Sequence, residues 1–189
     1  NLKYVVITSV TRDDLDDGGA DVFYNTVLEI KKLNKDCKIE VLIPDFQGNL
    51  KSLKKVIDSY PNIINHNIEV VKDLFPTIRP EGSYNTSLDI LKNIRKIDNK
   101  IKTKSGFMVG IGENEDQIIQ TMDDLRMSNV NLLTIGQYLQ PTKKHAEIKK
   151  YYTPKEFENL KRIALKLGFE HVESGPLVRS SYHAERAMC

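Results

Sequence analysis

Cysteine is scarce in this chain of 189 residues, which has only two, Cys37 and Cys189. Two thiols cannot form a disulfide framework, and on their own they cannot supply the four thiolate ligands of an iron–sulfur cluster. Cys37 precedes a predicted strand and is expected to be a small buried residue. Cys189 is the last residue and is expected to be frayed. Neither cysteine is predicted to be catalytic.

Long apolar runs and long runs of one charge are also missing. No apolar stretch approaches the roughly 20 residues that a membrane-spanning helix needs. The 28 basic and 26 acidic residues are mixed along the chain, and the net charge is +2. We therefore expect neither a membrane span nor a nucleic-acid-binding tract. The sequence does not begin with methionine, so we expect a fragment of a longer protein.

Short β-branched runs alternate with segments whose apolar residues recur every three or four positions. The runs predict six strands, at residues 4–8, 38–43, 63–68, 104–110, 132–138 and 169–173. The first periodic segment has its apolar stripe at Phe23, Val27, Ile30 and Leu33. Repeated strand–helix units require a parallel sheet with right-handed crossovers, either a barrel or a doubly wound sheet. No linker or repeat interrupts the pattern, so we expect one domain.

Polar residues follow nearly every predicted strand. They are Thr8 and Ser9, Asp45, residues 65–67, residues 110–113, Gln137 and Tyr138, and Ser174 and Gly175. In barrel enzymes the carboxyl ends of the strands form one rim, and the active site is built there. The sequence therefore predicts a site at this rim.

A glycine pattern ends the fourth predicted strand, where Gly106, Gly110 and Gly112 are followed by Glu113. Glycines let a flat ligand approach the backbone, and the N-terminus of the next helix can receive a polar or anionic group. The same residues are typical of plain turns, and their spacing differs from the dinucleotide-binding fingerprint. The pattern alone leaves a ligand site and a turn both open.

The third predicted strand is polar in its second half. Asn65, Asn67 and Glu69 alternate, so we expect them to share one face, with His66 on the other. They either hold a polar ligand, such as a ribose or an amino-acid group, or form a satisfied polar layer in the core. No second histidine or cysteine stands at metal-ligand spacing from His66, which we interpret as a packed residue.

Two polar loops follow the first and fifth predicted strands. The aspartates of residues 13–17 miss the spacing of a calcium loop, so we interpret them as helix-capping residues. Arg12 is the better candidate there for a ligand contact. The second loop, residues 137–145, is either a solvated loop or a binding segment.

A dense polar segment lies near the C-terminus. Residues 179–183 place a guanidinium, two hydroxyls, a phenol and an imidazole in succession, whereas ordinary polar tails are rich in lysine and glutamate. The segment either closes the last strand or contributes to a site. If it is extended, Ser180 and Ser181 face opposite sides.

Together these segments resemble lipoyl synthases, a family of radical S-adenosylmethionine enzymes. The resemblance is carried, in order, by residues 4–9, 12–15, 17–20, 39–46, 65–67, 104–113, 133–141 and 175–184. The family usually has Glu-Thr where this chain has Glu69-Val70 and Glu113-Asn114, so this chain lacks a hydroxyl at those two places.

The resemblance implies a partial parallel (β/α)6 barrel. Residues 1–189 would be its C-terminal part, including a tail, residues 175–189, that supplies a cluster ligand. The family has two [4Fe–4S] clusters, held mostly by cysteine triplets that are absent from this sequence. One cluster cleaves S-adenosylmethionine to a radical that abstracts hydrogens from C6 and C8 of a protein-bound octanoyl chain, and the auxiliary cluster supplies sulfur. The fragment alone is therefore expected to be inactive.

The resemblance also implies site residues. Ser181 matches the serine that ligates the auxiliary cluster, and Arg179 is expected to assist it by holding the tail. The expected S-adenosylmethionine contacts are Thr8, Ser9, Asn67, Gly106, Gly110, Gly112, Glu113 and Gln137.

The implied partners are octanoylated lipoyl carrier domains, namely the glycine cleavage H protein and the E2 subunits of 2-oxoacid dehydrogenases, together with a reductant such as flavodoxin or ferredoxin. Tyr138 and His145 are expected to meet the carrier. The implied location is the cytoplasm, or a mitochondrion or plastid in a eukaryote.

Two other classes stay open. A cofactor-free (β/α) enzyme, such as an aldolase or a phosphosugar enzyme, would use Lys102 or Lys104 as a Schiff base. A non-catalytic partner subunit would need no cluster cysteines.

Overall fold

The computed structural model describes residues 2–188, in which strands and helices alternate. The strands are β1 (Tyr4–Thr8), β2 (Lys38–Leu42), β3 (Ile63–Asn65), β4 (Lys102–Val109), β5 (Leu132–Gln137) and β6 (His171–Gly175). The helices are α1 (Ala20–Leu33), α2 (Leu50–Ile57), α3 (Phe75–Ile78), α4 (Tyr84–Ile97), α5 (Glu115–Met127) and α6 (Pro154–Lys166). Cys189 lies outside the described residues, and so does the prediction made for it.

The six strands form one sheet in which every neighbouring pair is parallel and the spatial order equals the chain order, β1 to β6. Within the described residues β1 and β6 do not pair, so the sheet is open on both edges. Helices connect successive strands, as parallel pairing requires. The structure therefore confirms the partial parallel (β/α)6 barrel.

The core lies between the strands and the apolar stripes of the helices. The strands contribute buried Ile39, Val41, Ile64, Val109 and Ile135, and the helices contribute Phe23, Leu53, Leu91, Met122 and Leu160. Cys37 is buried with a free thiol, as predicted. Leu33, which was expected on the first buried stripe, is instead exposed, because it is the last residue of α1.

Local capping fixes where the last two helices begin. Asn114 and Gln117 form a capping box at α5, and Thr153 and Glu156 form one at α6. Both boxes satisfy backbone N–H groups that the first helical turn leaves without a partner. No helix among residues 2–188 has the length and apolar content required to cross a bilayer.

The third strand is shorter than the sequence pattern predicts, because it ends at Asn65 and not at residue 68. The chain then departs from regular pairing and returns through one bridge, between Glu69 and Phe107. Glu69 has a φ of 71°, a left-handed conformation that is uncommon for a residue with a side chain. This irregular segment ends the regular strand pairing, and it places Asn67 and Glu69 together at the rim.

Candidate functional site

Two cavities lie side by side at the carboxyl ends of the strands. The central cavity has a volume of about 330 Å³, and its polar lining comes from Asn67, Glu69, Gly106, Thr134, Arg179 and Ser180. The flanking cavity has a volume of about 160 Å³, and it is lined by Thr8, Ser9, Pro44, His66 and Arg79. Asn67 and Glu69 line both cavities. The rim predicted from the strand ends therefore has a concave site.

Asn67 and Glu69, which lie between the two cavities, are polar side chains in a partly buried position. The Asn67 Oδ1 atom is buried and has no hydrogen-bond partner among the described residues. Burial raises the pKa of the Glu69 carboxyl, and a hydrogen bond from Asn67 and the charge of Arg79 partly oppose that rise. A buried acceptor without a partner costs free energy, so the Asn67 oxygen suits a donor on a bound molecule.

Gly106 keeps the floor of the central cavity open. A Cβ atom at this position would collide with Thr134 Oγ1 and would lie 3.2 Å from Asn67 Oδ1. An amide oxygen, a hydroxyl and a carboxylate thus surround a space without a side chain. These groups can accept hydrogen bonds from hydroxyls and bind an ammonium, so they fit the ribose and amino-acid parts of S-adenosylmethionine.

The remaining residues of the glycine pattern form a separate cluster whose polar groups bond within the protein. The Glu113 carboxylate accepts from the backbone N–H groups of Gly110 (2.5 Å), Ile111 (2.9 Å) and Gly112 (3.1 Å). The Glu113 carboxylate therefore bonds to the backbone N–H groups that the sequence pattern had suggested for a ligand. The pattern therefore divides, with Gly106 in the cavity and the other residues shaping the loop before α5.

Gln137 belongs to the same cluster. Its Nε2 donates to the carbonyl of Lys150 at 3.0 Å, and its Oε1 accepts from the N–H of Tyr152 at 2.9 Å. A Cβ atom on Gly110 would collide with the Gln137 Nε2 and the Lys150 carbonyl. The close approach at Gly110 is thus to the protein itself.

The first loop places its predicted residues partly at the rim. Thr8 and Ser9 line the flanking cavity, whereas Arg12 pairs with Asp14 at 2.6 Å on the surface. Asp17 accepts from the backbone N–H groups of Gly19 and Asp21 and caps α1, in agreement with the capping interpretation of this aspartate.

In the loop after β5, the Tyr138 side chain points into the protein. Tyr138 is buried, and its hydroxyl donates to the carbonyl of Ala146 at 2.9 Å. His145 is exposed and lies 2.9 Å from the Thr142 hydroxyl. Of the two residues expected to meet a carrier protein, the structure leaves His145 accessible.

Residues 179–184 of the C-terminal tail form hydrogen-bonded turns and are not extended. The Tyr182 N–H donates to the Arg179 carbonyl at 2.9 Å, and the Ala184 N–H donates to the Ser181 carbonyl at 3.4 Å. Ser181 is exposed in this turn. The extended conformation, on which the expectation for the two serines depended, is therefore not found. The chain turns because Val178 and Ala184 both pack into the molecule.

Arg179 and Ser180 line the central cavity from the tail. The Arg179 Nη1 donates to the carbonyl of Val178 at 2.8 Å, a contact that stays within the tail. The structure thus brings Asn67, Gly106 and Arg179 to one cavity and Thr8 and Ser9 to the next. It sets Gly110, Gly112, Glu113 and Gln137 apart from both.

A buried ion pair beneath the tail was not predicted. The Lys104 Nζ lies 2.9 Å from Glu40 Oε1, and both side chains are buried. The sequence signal for this pair is Glu40, a charged residue within the apolar run of β2. That signal alone does not identify Lys104 as the partner. Lys102, the other Schiff-base candidate, pairs with Glu170 at 3.1 Å at the opposite end of β4 from the rim.

The described residues do not hold a metal centre by themselves. Among residues 2–188 no group of three or more His, Cys, Asp or Glu side chains is placed to ligate a metal ion. An iron–sulfur cluster is normally held by four protein ligands. A cluster bound by Ser181 would therefore need further protein ligands in addition to these residues.

Comparisons with known proteins agree with this geometry. The model of the family described as "Radical SAM superfamily" matches residues 1–125. The lipoyl synthase of Halalkalibacterium halodurans is 55% identical over 184 residues, 97% of this chain and 61% of its own length. That of Alkaliphilus metalliredigens is 56% identical over 187 residues, 99% of this chain and 64% of its own length. The chain thus spans less than two thirds of these relatives.

Solved structures show the same fold at low sequence identity. Methylornithine synthase aligns with a TM-score of 0.67 and 14% identity, over 95% of this chain and 59% of that chain. A domain of the pyruvate-formate lyase-activating enzyme from Bacteroides vulgatus aligns with a TM-score of 0.65 and 8% identity, over 89% of this chain and 98% of that domain. The resemblance to lipoyl synthases is confirmed by the relatives, and from the family match and the shared fold it follows that the chain belongs to the radical SAM superfamily.

Proposed function

We propose that this chain is the C-terminal part of the catalytic barrel of a lipoyl synthase. Such a sulfurtransferase inserts two sulfur atoms, at C6 and C8 of a protein-bound octanoyl chain. The observation that carries the proposal is the 55% identity to the lipoyl synthase of Halalkalibacterium halodurans across 97% of the chain. The rim cavity with its unpaired Asn67 oxygen supports it.

S-adenosylmethionine and two [4Fe–4S] clusters would supply hydrogen abstraction and sulfur when bound. The residues of this chain would then bind S-adenosylmethionine and orient it. The Asn67 Oδ1 accepts a hydrogen bond from the cofactor, Thr134 adds a hydroxyl, and Gly106 leaves the space between them. Glu69, whose pKa burial raises, faces the same space and can hold a proton or an ammonium.

The tail would complete the site from above. Ser181 offers a hard oxygen ligand to the auxiliary cluster, beside softer thiolates from outside this sequence. An oxygen ligand is more readily protonated and released than a thiolate, which suits a cluster that gives up sulfur. Arg179 lines the cavity beneath this turn and would help to hold the tail against the barrel.

The proposed partners follow from the substrate. An octanoyl chain on a glycine cleavage H protein or on an E2 subunit has to enter the rim, where exposed His145 lies on a neighbouring loop. A flavodoxin or a ferredoxin would supply electrons.

Anaerobic turnover of the full-length enzyme tests the function. The protein is reconstituted with iron and sulfide and incubated with S-adenosylmethionine, reductant and an octanoylated carrier peptide. We expect a peptide that has gained two sulfur atoms, detected by mass spectrometry, and no change in the unacylated peptide. Cleavage of S-adenosylmethionine without any sulfur gain on H-protein or E2 peptides would contradict the proposal.

A further inference from the structure

The buried pair of Glu40 and Lys104 lies inside the barrel, directly beneath the tail. The Lys104 Nζ is 2.9 Å from Glu40 Oε1 and 3.2 Å from Oε2, while the two side chains are 0% and 3% exposed for Glu40 and Lys104. Removing two charges from water is costly, and well-packed apolar side chains often stabilise a core as much or more. Overall stability therefore does not account for this pair.

Further donors hold the Glu40 carboxylate in one orientation. The Tyr4 hydroxyl donates to Oε2 at 2.6 Å, and the Asn65 amide donates to Oε1 at 3.1 Å. Burial and the Glu40 charge raise the pKa of Tyr4 far above its ordinary value, so the phenol stays a donor. Because the carboxylate is fixed by β1 and β3, it fixes the Lys104 ammonium on β4 in turn.

The ammonium also reaches the tail. Lys104 Nζ has three N–H donors, and it lies 2.6 Å from the carbonyl oxygen of Ser180, 76 residues along the chain. The backbone hydrogen bonds of Tyr182 and Ala184 stay within the tail. The charge-assisted bond from Lys104 thus ties this turn to the barrel interior.

The backbone on either side of Ser180 packs against the barrel at two further residues, Val178 and Ala184. Val178 is buried, and a Cβ atom on Gly136 would collide with the Val178 carbonyl, so this glycine lets the tail lie against β5. Ala184 is buried on the other side of the turn. Ser181 is exposed between these points, so its position depends on the carbonyl immediately before it.

We propose that Lys104, held by Glu40, is a positioning residue for the tail. Its ammonium fixes the Ser180 carbonyl and thereby the turn that presents Ser181. The inference deepens the proposed function and rests on it, because the turn matters for catalysis only when Ser181 ligates the auxiliary cluster. The contact between Lys104 and the tail does not itself require that ligand.

Hydrogen exchange of the full-length enzyme, kept anaerobic with its clusters, tests this role. Two double variants remove both charges, so neither leaves an unpaired buried charge: Lys104→Met with Glu40→Gln, and Lys104→Gln with Glu40→Gln. We expect the amides of residues 180–186 to exchange about tenfold faster or more, as the loss of a charge-assisted hydrogen bond predicts. Exchange in β4 and β5 should stay at the wild-type rate.

Lys102→Met is the matched control. This lysine lies two positions earlier on β4, and its ion pair with Glu170 is exposed. The control should leave exchange in the tail unchanged. Wild-type exchange of the tail in both double variants overturns the proposal, and so does faster exchange throughout the barrel, which would make Lys104 a general core residue.

Ser181→Ala separates this inference from the proposed function. If Ser181 ligates the cluster, the variant also exchanges faster in the tail and retains less iron. If exchange and iron content match the wild type while the double variants still release the tail, the ligand assignment fails and the positioning of the tail by Lys104 stands.

Discussion

Two neighbouring serines of the tail offer different groups to the barrel. The backbone carbonyl of Ser180 accepts from Lys104, and this contact does not need the Ser180 side chain. Ser181 is exposed in the turn. We expect full-length Ser181→Ala to cleave S-adenosylmethionine but to make little lipoyl product, because the auxiliary cluster loses a ligand.

Ser180→Ala is the control for that prediction, since it keeps the carbonyl and removes only a hydroxyl at the cavity. It should retain more of the lipoyl-forming rate than Ser181→Ala does. Both products, deoxyadenosine and the lipoyl peptide, are quantified by mass spectrometry. Equal lipoyl formation by Ser181→Ala and the wild type, or the reverse ranking of the two variants, would defeat the ligand assignment.

Gly106 is the residue of the glycine pattern whose missing side chain keeps the cavity open. Because an added methyl group would collide with Thr134 Oγ1, Gly106→Ala should weaken S-adenosylmethionine binding by about tenfold or more, equivalent to about 1.4 kcal/mol. Equilibrium binding to the reconstituted full-length enzyme measures the change. Gly175→Ala is the control, because a Cβ there meets Val178 only at an ordinary 3.4 Å. Similar affinities for both variants would show that S-adenosylmethionine does not bind against Gly106.

Glu69 predicts a pH dependence of stability. Its pKa is raised above the ordinary value of 4.5, chiefly by burial. The folded state therefore holds this proton more tightly than the unfolded state, and stability falls as the pH rises from 4.5 through the raised pKa. Glu69→Gln mimics the protonated form, so its melting temperature should gain on that of the full-length wild type as the pH rises from about 4 to about 8. A difference that stays constant with pH would show that Glu69 titrates normally.

At the scale of secondary structure, the sequence pattern predicts the elements better than it predicts how they end. The apolar runs of β2 and β5 are local signals, so these strands are found where the sequence predicts them. The capping residues of α5 and α6 are local signals as well. The end of β3 is not local, because the left-handed Glu69 is held through a bridge to Phe107 on β4.

The sequence also does not show that the residues of the glycine pattern lie in two separate places, because their contacts are not local. The spacing of Gly106, Gly110 and Gly112 is visible in the sequence, but only the fold shows that Glu113 fills the amides beside the last two. The pairing of Glu40 with Lys104 joins residues 64 positions apart and has no local signal. Sequence patterns thus predict which residues reach the rim but not which of their polar groups are already bonded.

The capping box of α5 can be tested as an element. Asn114→Ala removes the acceptor for the Gln117 N–H, and it should destabilise the protein by about 1 kcal/mol. The melting temperature of the full-length protein should fall by about 1–2 °C. Met127→Ala, at the exposed end of the same helix, should change it little. A larger effect of Met127→Ala would mean that the cap does not determine the stability of α5.

At the scale of the molecule, residues 1–189 alone should be inactive. Among residues 2–188 no three-residue metal-ligand group is found, so we do not expect this part to hold the cluster that reduces S-adenosylmethionine. The measurement is deoxyadenosine formation by the isolated chain after anaerobic reconstitution, beside the full-length enzyme as the positive control. Deoxyadenosine that depends on both S-adenosylmethionine and reductant would contradict this prediction, because residues 1–189 would then bind a working cluster without further residues.

The sheet order also bears on how the protein is made. Because β1 to β6 lie side by side in the order of synthesis, a growing chain on the ribosome can add each strand to the one before it. The Lys104 ammonium meets Glu40 as soon as β4 docks, but the Ser180 carbonyl is translated 76 residues later. Docking of the turn over the rim therefore follows the docking of β4 during synthesis. A ribosome that stops after β6 releases a chain that has the six described strands but lacks the contact above its buried lysine.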